Sequence, residues 1–140
     1  MEIEAIKSTL EAYAKAYCSK DIDAMMNIFD NSDNISVVGT GADELCVGLI
    51  EIKDLFLRNF EEATANKFEW NWMDIRLSEN HAVVSVILTI YLEYKGDKLK
   101  LPIRWTIVLK NKNKKWVWIH RNASIAASNQ DDGKAYPNEK

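Results

Sequence analysis

Apolar residues recur at spacings of three and four near the start of the chain: Ile3, Ile6, Leu10, Tyr13 and Tyr17. That spacing places them on one stripe of a helix. Ser-Lys-Asp at 19–21 ends the helix and offers caps for a second, short one whose apolar side is Ile22, Met25, Met26 and Phe29. Asp30 to Asn34 reads as a turn. Ile35 to Val38 forms a short strand closed by Gly39-Thr40-Gly41, and Leu45 to Val47 pairs with it before Gly48. A third helix runs from about Ile50 to Ala63 on the stripe Ile52, Leu55, Phe56, Phe60 and Ala63, with Asn59 its polar exception.

Beyond residue 66 the period changes from helical to twofold. Lys67 to Leu77 alternates through Phe68, Trp70 and Trp72, then shifts phase to Met73, Ile75 and Leu77. A phase change inside one strand predicts a bulge. Ala82 to Tyr94, Lys98 to Lys110 and Trp116 to Ile125 are three further long strands, the first two joined by a hairpin turn at Lys95-Gly96-Asp97. The pattern divides the chain into a domain over residues 1–126 and a polar tail over 127–140, expected to be loosely held.

Three helices followed by four long antiparallel strands cannot cover both sides of a sheet. They predict an α+β fold, with the helices on one face of a curved antiparallel sheet. Leu99, Leu101, Ile103, Trp105, Ile107 and Leu109 share the side expected to meet the helices. In the last strand Val117, Ile119, Arg121 and Ala123 are assigned inward. Trp116, Trp118, His120, Asn122 and Ser124 are assigned outward. An Ala82–Tyr94 strand that is largely apolar on both sides, with two outward tryptophans, predicts that a second copy covers the outer face.

The chain of 140 residues is long enough for one real core. A formal charge of −3 gives no electrostatic case for nucleic acid or for a membrane surface. The basic run at 110–115 lies between two strands and reads as a solvated hairpin loop. Cys18 and Cys46 fit no metal or redox spacing and read as small buried hydrophobes. The first residues are charged and amphipathic rather than leader-like, and no segment approaches a membrane span. The cytoplasm is therefore the simplest expected location.

The order of elements, Lys-Asp-Ile-Asp-Ala-Met-Met-Asn-Ile-Phe-Asp at 20–30, Gly48 before the third helix, and the closing stretch 104–124 together resemble a SnoaL-like protein of the nuclear transport factor 2-like, cystatin-like superfamily. The resemblance covers nearly the whole chain. Its closing signature is Arg104, Thr106, Trp116, His120, Asn122 and Ser124; Asn122 stands where many members carry a second histidine. Gln130, Gly133, Tyr136 and Pro137 are similar to the ending of some members. The resemblance implies a cone: helices roofing a curved sheet, a pocket between them, and a dimer through the outer sheet surface. The superfamily holds enzymes, binding proteins and association modules, so function has to be argued from the site.

Three chemistries bear on that site. A ketosteroid-isomerase mechanism needs an aspartate base with an oxyanion hole. Tyr13 matches the tyrosine position, but Ser36 and Val37 occupy the base position and carry no carboxylate. A polyketide-cyclase mechanism points to Asp30, which is also an ordinary turn residue. The calmodulin-dependent kinase II association domain has pocket arginines, and those positions read Thr89, Ile107 and Ala123 here. Arg121, on the same face, is left as one substitute charge, either paired with an acid or open to an anionic ligand.

These readings yield a defined set of expectations. The pocket candidates are Tyr13, Tyr17, Phe56, Thr89, Tyr91, Trp105, Ile107 and Arg121. They suit a small apolar or weakly anionic molecule, or they simply fill the core. The dimer-interface candidates are Arg104, Thr106, Trp116, Trp118, His120 and Asn122. A lone histidine without a positioned nucleophile or carboxylate favours the interface for His120 over catalysis. No metal or cofactor is expected. Small-molecule binding is the leading function, with an acid/base cyclase or isomerase and a structural association module as alternatives.

Overall fold

The computed structural model of the chain describes residues 2–138. Helix α1 (Glu2–Ser19) buries Ile6, Leu10, Tyr13 and Ala16 along the stripe set by their spacing. Asp21 caps the short α2 (Ile22–Met26) by accepting a hydrogen bond from the Ala24 amide at 3.0 Å. Strands β1 (Ser36–Val38) and β2 (Leu45–Val47) pair antiparallel and lead through Gly48 into α3 (Leu49–Glu62). Gly48 has φ of 89°, a conformation costly for other residues, and Asp33 accepts a hydrogen bond from the next amide at 3.2 Å. Long strands β3 (Thr64–Ser78), β4 (His81–Tyr94), β5 (Asp97–Lys112) and β6 (Lys115–Ser124) complete the chain.

The six strands lie in the order β2-β1-β6-β5-β4-β3, in one curved, unclosed sheet. The fold is α+β, with the three helices ahead of the long strands. The four long strands are antiparallel as expected, but β1 joins β6 in parallel, so the sheet is mixed. This parallel contact brings Val37 beside Arg121 and Ser36 beside His120. The β4–β5 turn carries Lys95 and Gly96 at φ of 50° and 83°, both central positions left-handed, which matches the strand twist in tight hairpins.

Three register shifts interrupt the long strands, at Asn66, Asn71 and Ile119, and the last two set which aromatic side chains face the helices. The expected phase change in β3 falls at Asn71, between the pairs Trp70–Leu88 and Trp72–Ile87. Phe68, Trp70, Met73 and Ile75 therefore pack toward the core, and Trp72 turns outward at 53% exposure. The bulge in β6 was not expected from the sequence. Val108 pairs with His120 while Leu109 pairs with Trp118, leaving Ile119 as the extra residue. That one-residue insertion reverses the phase, so Trp118 and Arg121 both point inward.

The consequence is a correction. Trp116 and Trp118 are core residues, 6% and 0% exposed, and do not belong to the outer surface. Trp118 stacks on Tyr13 at 5.0 Å between ring centroids and donates from Nε1 to Thr9 Oγ1 at 2.8 Å. Phe29, Tyr13 and Trp105 surround it. Inward residues of β4 and β5, Val84, Val86, Leu88, Ile103, Ile107 and Leu109, close the core beneath α1 and α3. Burying an aromatic or branched aliphatic side chain contributes about 1.5–3 kcal/mol each, so this layer is the main stabilising term. Among the described residues no helix is long and apolar enough to cross a membrane.

Candidate functional site

A cavity of about 300 Å³ opens between the helices and the sheet. Its walls come from six parts of the chain: Tyr13 and Tyr17 of α1, the Gly39–Glu44 turn, Asn59 and Glu62 of α3, Ile90 and Leu92 of β4, Trp105 of β5 and Arg121 of β6. A hollow of about 500 Å³ lies elsewhere, between α2 and the β5–β6 hairpin, where the exposed Lys112 and Lys115 form part of the wall. The smaller cavity is the better candidate because its buried cation, Arg121, has no acidic partner among the described residues, whereas the buried Asp30 of the larger hollow is paired with Lys112.

Arg121 is the centre of the site. It is 6% exposed, paired in register with Ile107 and Val37, and projects among aromatic rings. Its Nη1 donates to the Tyr13 hydroxyl at 2.8 Å. The guanidinium carbon sits 5.4 Å from the Trp105 ring centroid, within the range of a cation–π contact. Among the described residues no carboxylate lies within ion-pair reach of Arg121, and its Nε has no hydrogen-bond partner. Trp105 Nε1, also buried, has none either. Buried donors in native proteins are nearly always paired, and an uncompensated buried charge is costly. The side chains that carry these two donors line one cavity, while the two nitrogens themselves are shielded from solvent.

Tyr13 and Tyr17 stack at 5.9 Å with their rings 14° apart. Burial raises the pKa of both hydroxyls. For Tyr13 it outweighs the nearby Arg121 charge, which acts in the opposite direction. Both phenols therefore remain neutral at physiological pH and serve as hydrogen-bonding groups rather than bases.

The sequence expectations divide cleanly on the coordinates. Tyr13, Tyr17, Trp105 and Arg121 meet at the cavity. Phe56 and Ile107 are fully buried behind it: Phe56 packs edge-on against Tyr13 and Tyr17, and Ile107 supports Arg121 from the neighbouring strand. Thr89 and Tyr91 do not reach the cavity. They alternate with the buried Leu88 and Ile90 and so lie on the outer face, where Thr89 donates to Asn71 at 2.9 Å and Tyr91 to Glu69 at 3.1 Å.

On that outer face, Arg104 donates to Ser124 at 3.2 Å, and Thr106 pairs in register with Asn122. The His120 ring nitrogen Nδ1 lies 2.7 Å from Ser36 Oγ. His120 is thus held by a cross-strand hydroxyl outside the cavity. Asp30 is also removed from the cavity. It is 2% exposed and lies 2.9 Å from both Lys112 Nζ and Ser32 Oγ. The Lys112 hydrogen bond holds its carboxyl below the ordinary value of 3.8 against the opposing effect of burial, unlike the raised pKa of a general acid. No group of three or more potential metal ligands occurs among the described residues.

Sequence reasoning missed Glu44 and Glu62 as rim residues. The available signals were the Gly39-Thr40-Gly41 turn and the polar Asn59 on an otherwise apolar helix stripe; all of these line the cavity.

Comparisons with known proteins agree on the architecture. A family model described as a SnoaL-like domain matches residues 6–128. A comparison with curated proteins finds no match. Among solved structures, a protein with a cystatin-like fold from Caulobacter vibrioides is 19% identical, covers 90% of each chain and superposes with a TM-score of 0.72. A provisionally assigned calcium/calmodulin-dependent protein kinase II association domain from Xanthomonas campestris is 18% identical, with 88% of this chain and 86% of that chain covered and a TM-score of 0.77. A provisionally assigned dehydratase of the nuclear transport factor 2-like family from Streptomyces avermitilis is 13% identical, with 91% and 97% covered and a TM-score of 0.77. At these identities the likeness establishes the fold alone.

Proposed function

This chain belongs to the SnoaL-like domain family, and from that premise we propose that it binds a small, flat, largely apolar molecule carrying one weakly anionic group. The observation that carries this reading is Arg121, a buried cation on the wall of an aromatic-lined cavity, with no carboxylate within ion-pair reach among the described residues. Aromatic rings from Tyr13, Tyr17 and Trp105 supply flat apolar walls. Arg121 supplies the charge that an acidic group would neutralise. The test is titration calorimetry with para-toluate as probe. The wild-type chain binds it, and Arg121→Met weakens binding at least about tenfold, the loss expected when a buried charge-assisted hydrogen bond is removed. Equal affinity for the two proteins removes Arg121 from the site.

The outer face carries a second part of the reading. Trp72, Val83 and Ile87 are 53%, 40% and 41% exposed there, beside the polar Arg104, Thr106 and Asn122. An apolar patch with a polar border on a sheet suits contact with a second copy of this chain. The interface is proposed without Trp116 and Trp118. A cytoplasmic location belongs to the same proposal, supported by the two free thiols of Cys18 and Cys46.

An acid/base reaction is a second reading, favoured by two observations. Glu44 places a carboxylate on the cavity wall, and the Streptomyces avermitilis neighbour is provisionally assigned as a dehydratase.

A further inference from the structure

The cavity wall carries charges of both signs. Arg121, 6% exposed, provides the positive charge, and the half-buried Glu44 and the exposed Glu62 provide negative charge. Glu44 is built into place: its side chain is only 15% exposed, Oε1 accepts from the Gly41 amide at 2.7 Å, and Oε2 accepts from Arg58 at 3.2 Å. The two glycines of the turn make room for it. A Cβ on Gly39 would lie 2.6 Å from Glu44 Oε1, and one on Gly41 2.9 Å from the same atom. Neither glycine is left-handed, so the requirement is space for this carboxylate rather than backbone conformation.

Arg58 does not neutralise the rim. It is half exposed and shares its guanidinium with Asp43 at 3.0 Å as well as with Glu44. Two acids divide one cation, and Glu62 adds a further negative charge. The field of Glu62 reaches inward, since it contributes to the rise in the Tyr17 pKa. A simple anion bound at Arg121 shares the cavity with these two carboxylates. A neutral molecule leaves Arg121 uncompensated. A molecule with an acidic group at one end and a protonated amine at the other satisfies both ends.

Building on the binding reading above, we propose that the preferred ligand is amphoteric: a flat apolar body with its acidic group at Arg121 and a cationic amine at Glu44 and Glu62. The experiment uses the full chain at low ionic strength, with calorimetric titration of three probes: para-(aminomethyl)benzoate, para-toluate and para-methylbenzylamine. The amino acid binds about fivefold tighter than para-toluate, a ratio in keeping with partly exposed charge pairs. The preference falls toward unity in Glu62→Gln, an exposed substitution that leaves packing intact, and falls further when Glu44→Gln is added. Para-toluate binding as tightly as the amino acid, or tighter, overturns the amphoteric assignment while the binding reading stands. Binding of none of the three overturns both. A fivefold preference that persists unchanged in the doubly substituted protein removes the rim carboxylates from recognition and also overturns the assignment.

Discussion

Replacing Arg121 with methionine should make the ligand-free protein more stable. Arg121 is 6% exposed, with one protein hydrogen bond, to the Tyr13 hydroxyl, and no carboxylate partner among the described residues. Losing that charge-assisted bond costs about 1.5–3 kcal/mol, and losing the contact with the Trp105 ring costs about 0.5–2 kcal/mol. Against this stands the effective penalty for keeping an unpaired cation out of water, several kcal/mol per ion. Methionine fills a similar length with apolar atoms and a soft thioether. With that penalty taken as about 5 kcal/mol and the two losses together at their mid-range of about 3.5 kcal/mol, the balance is a gain of about 1–2 kcal/mol. For 140 residues, an unfolding entropy of about 2.1 cal/mol/K per residue makes this a rise of roughly 3–7 °C in Tm. Urea denaturation followed by tryptophan fluorescence, without ligand and at neutral pH, reads the change directly. The m-value stays constant, because the folded surface is unchanged. A loss of about 1 kcal/mol or more would falsify the idea that Arg121 is held uncompensated for a ligand, since the side chain would then be a net structural asset. Gained stability with lost binding is the signature of a residue kept for function.

Three further outcomes test the rest of the account. Trp118→Ala should cost about 3–5 kcal/mol, enough to threaten folding, whereas Trp118→Phe keeps a ring and gives up the Thr9 hydrogen bond; a denaturation midpoint unmoved by the alanine change contradicts the inward bulge. Asp30 has its folded pKa depressed, chiefly by the Lys112 hydrogen bond, so its contribution is full above the ordinary value of 3.8 and declines as pH falls through the folded value. The stability gap between wild type and Asp30→Asn, measured by urea titration, should therefore be wide at pH ~7 and shrink below pH ~4; a gap that widens in acid reverses the sign and rejects the ion pair. Trp72→Glu should halve the sedimenting mass while leaving far-ultraviolet circular dichroism intact, and a wild-type protein that already sediments as one protomer removes the outer-face dimer.

Local pattern was enough for the elements and for most of their faces. The 3.6-residue stripe Ile6, Leu10, Tyr13 and the twofold run Ile103, Trp105, Ile107 each encode burial within a few neighbouring residues. The bulge in β3 was legible because hydrophobic residues themselves change phase there. The bulge in β6 was not, because Trp116, Val117, Trp118 and Ile119 are all apolar, and a continuous apolar run carries no phase. A one-residue slip there exchanges the two faces, which moved Trp118 into the core while Arg121 kept its inward direction.

The site itself was only partly readable. The residue types were visible, but their meeting was not: Tyr13 and Arg121 are 108 positions apart, and the rim comes from a turn and a helix between them. The sequence alone determined the α+β class, the helix stripes and the alternating strands, because those depend on short-range periodicity and the transfer of apolar surface from water. Only the tertiary structure decided that Thr89 and Tyr91 face outward, that β1 lies parallel to β6, and that Arg121 has a phenol rather than a carboxylate beside it. Those facts depend on register and long-range packing, and a single chain position carries no information about which distant group will satisfy its charge.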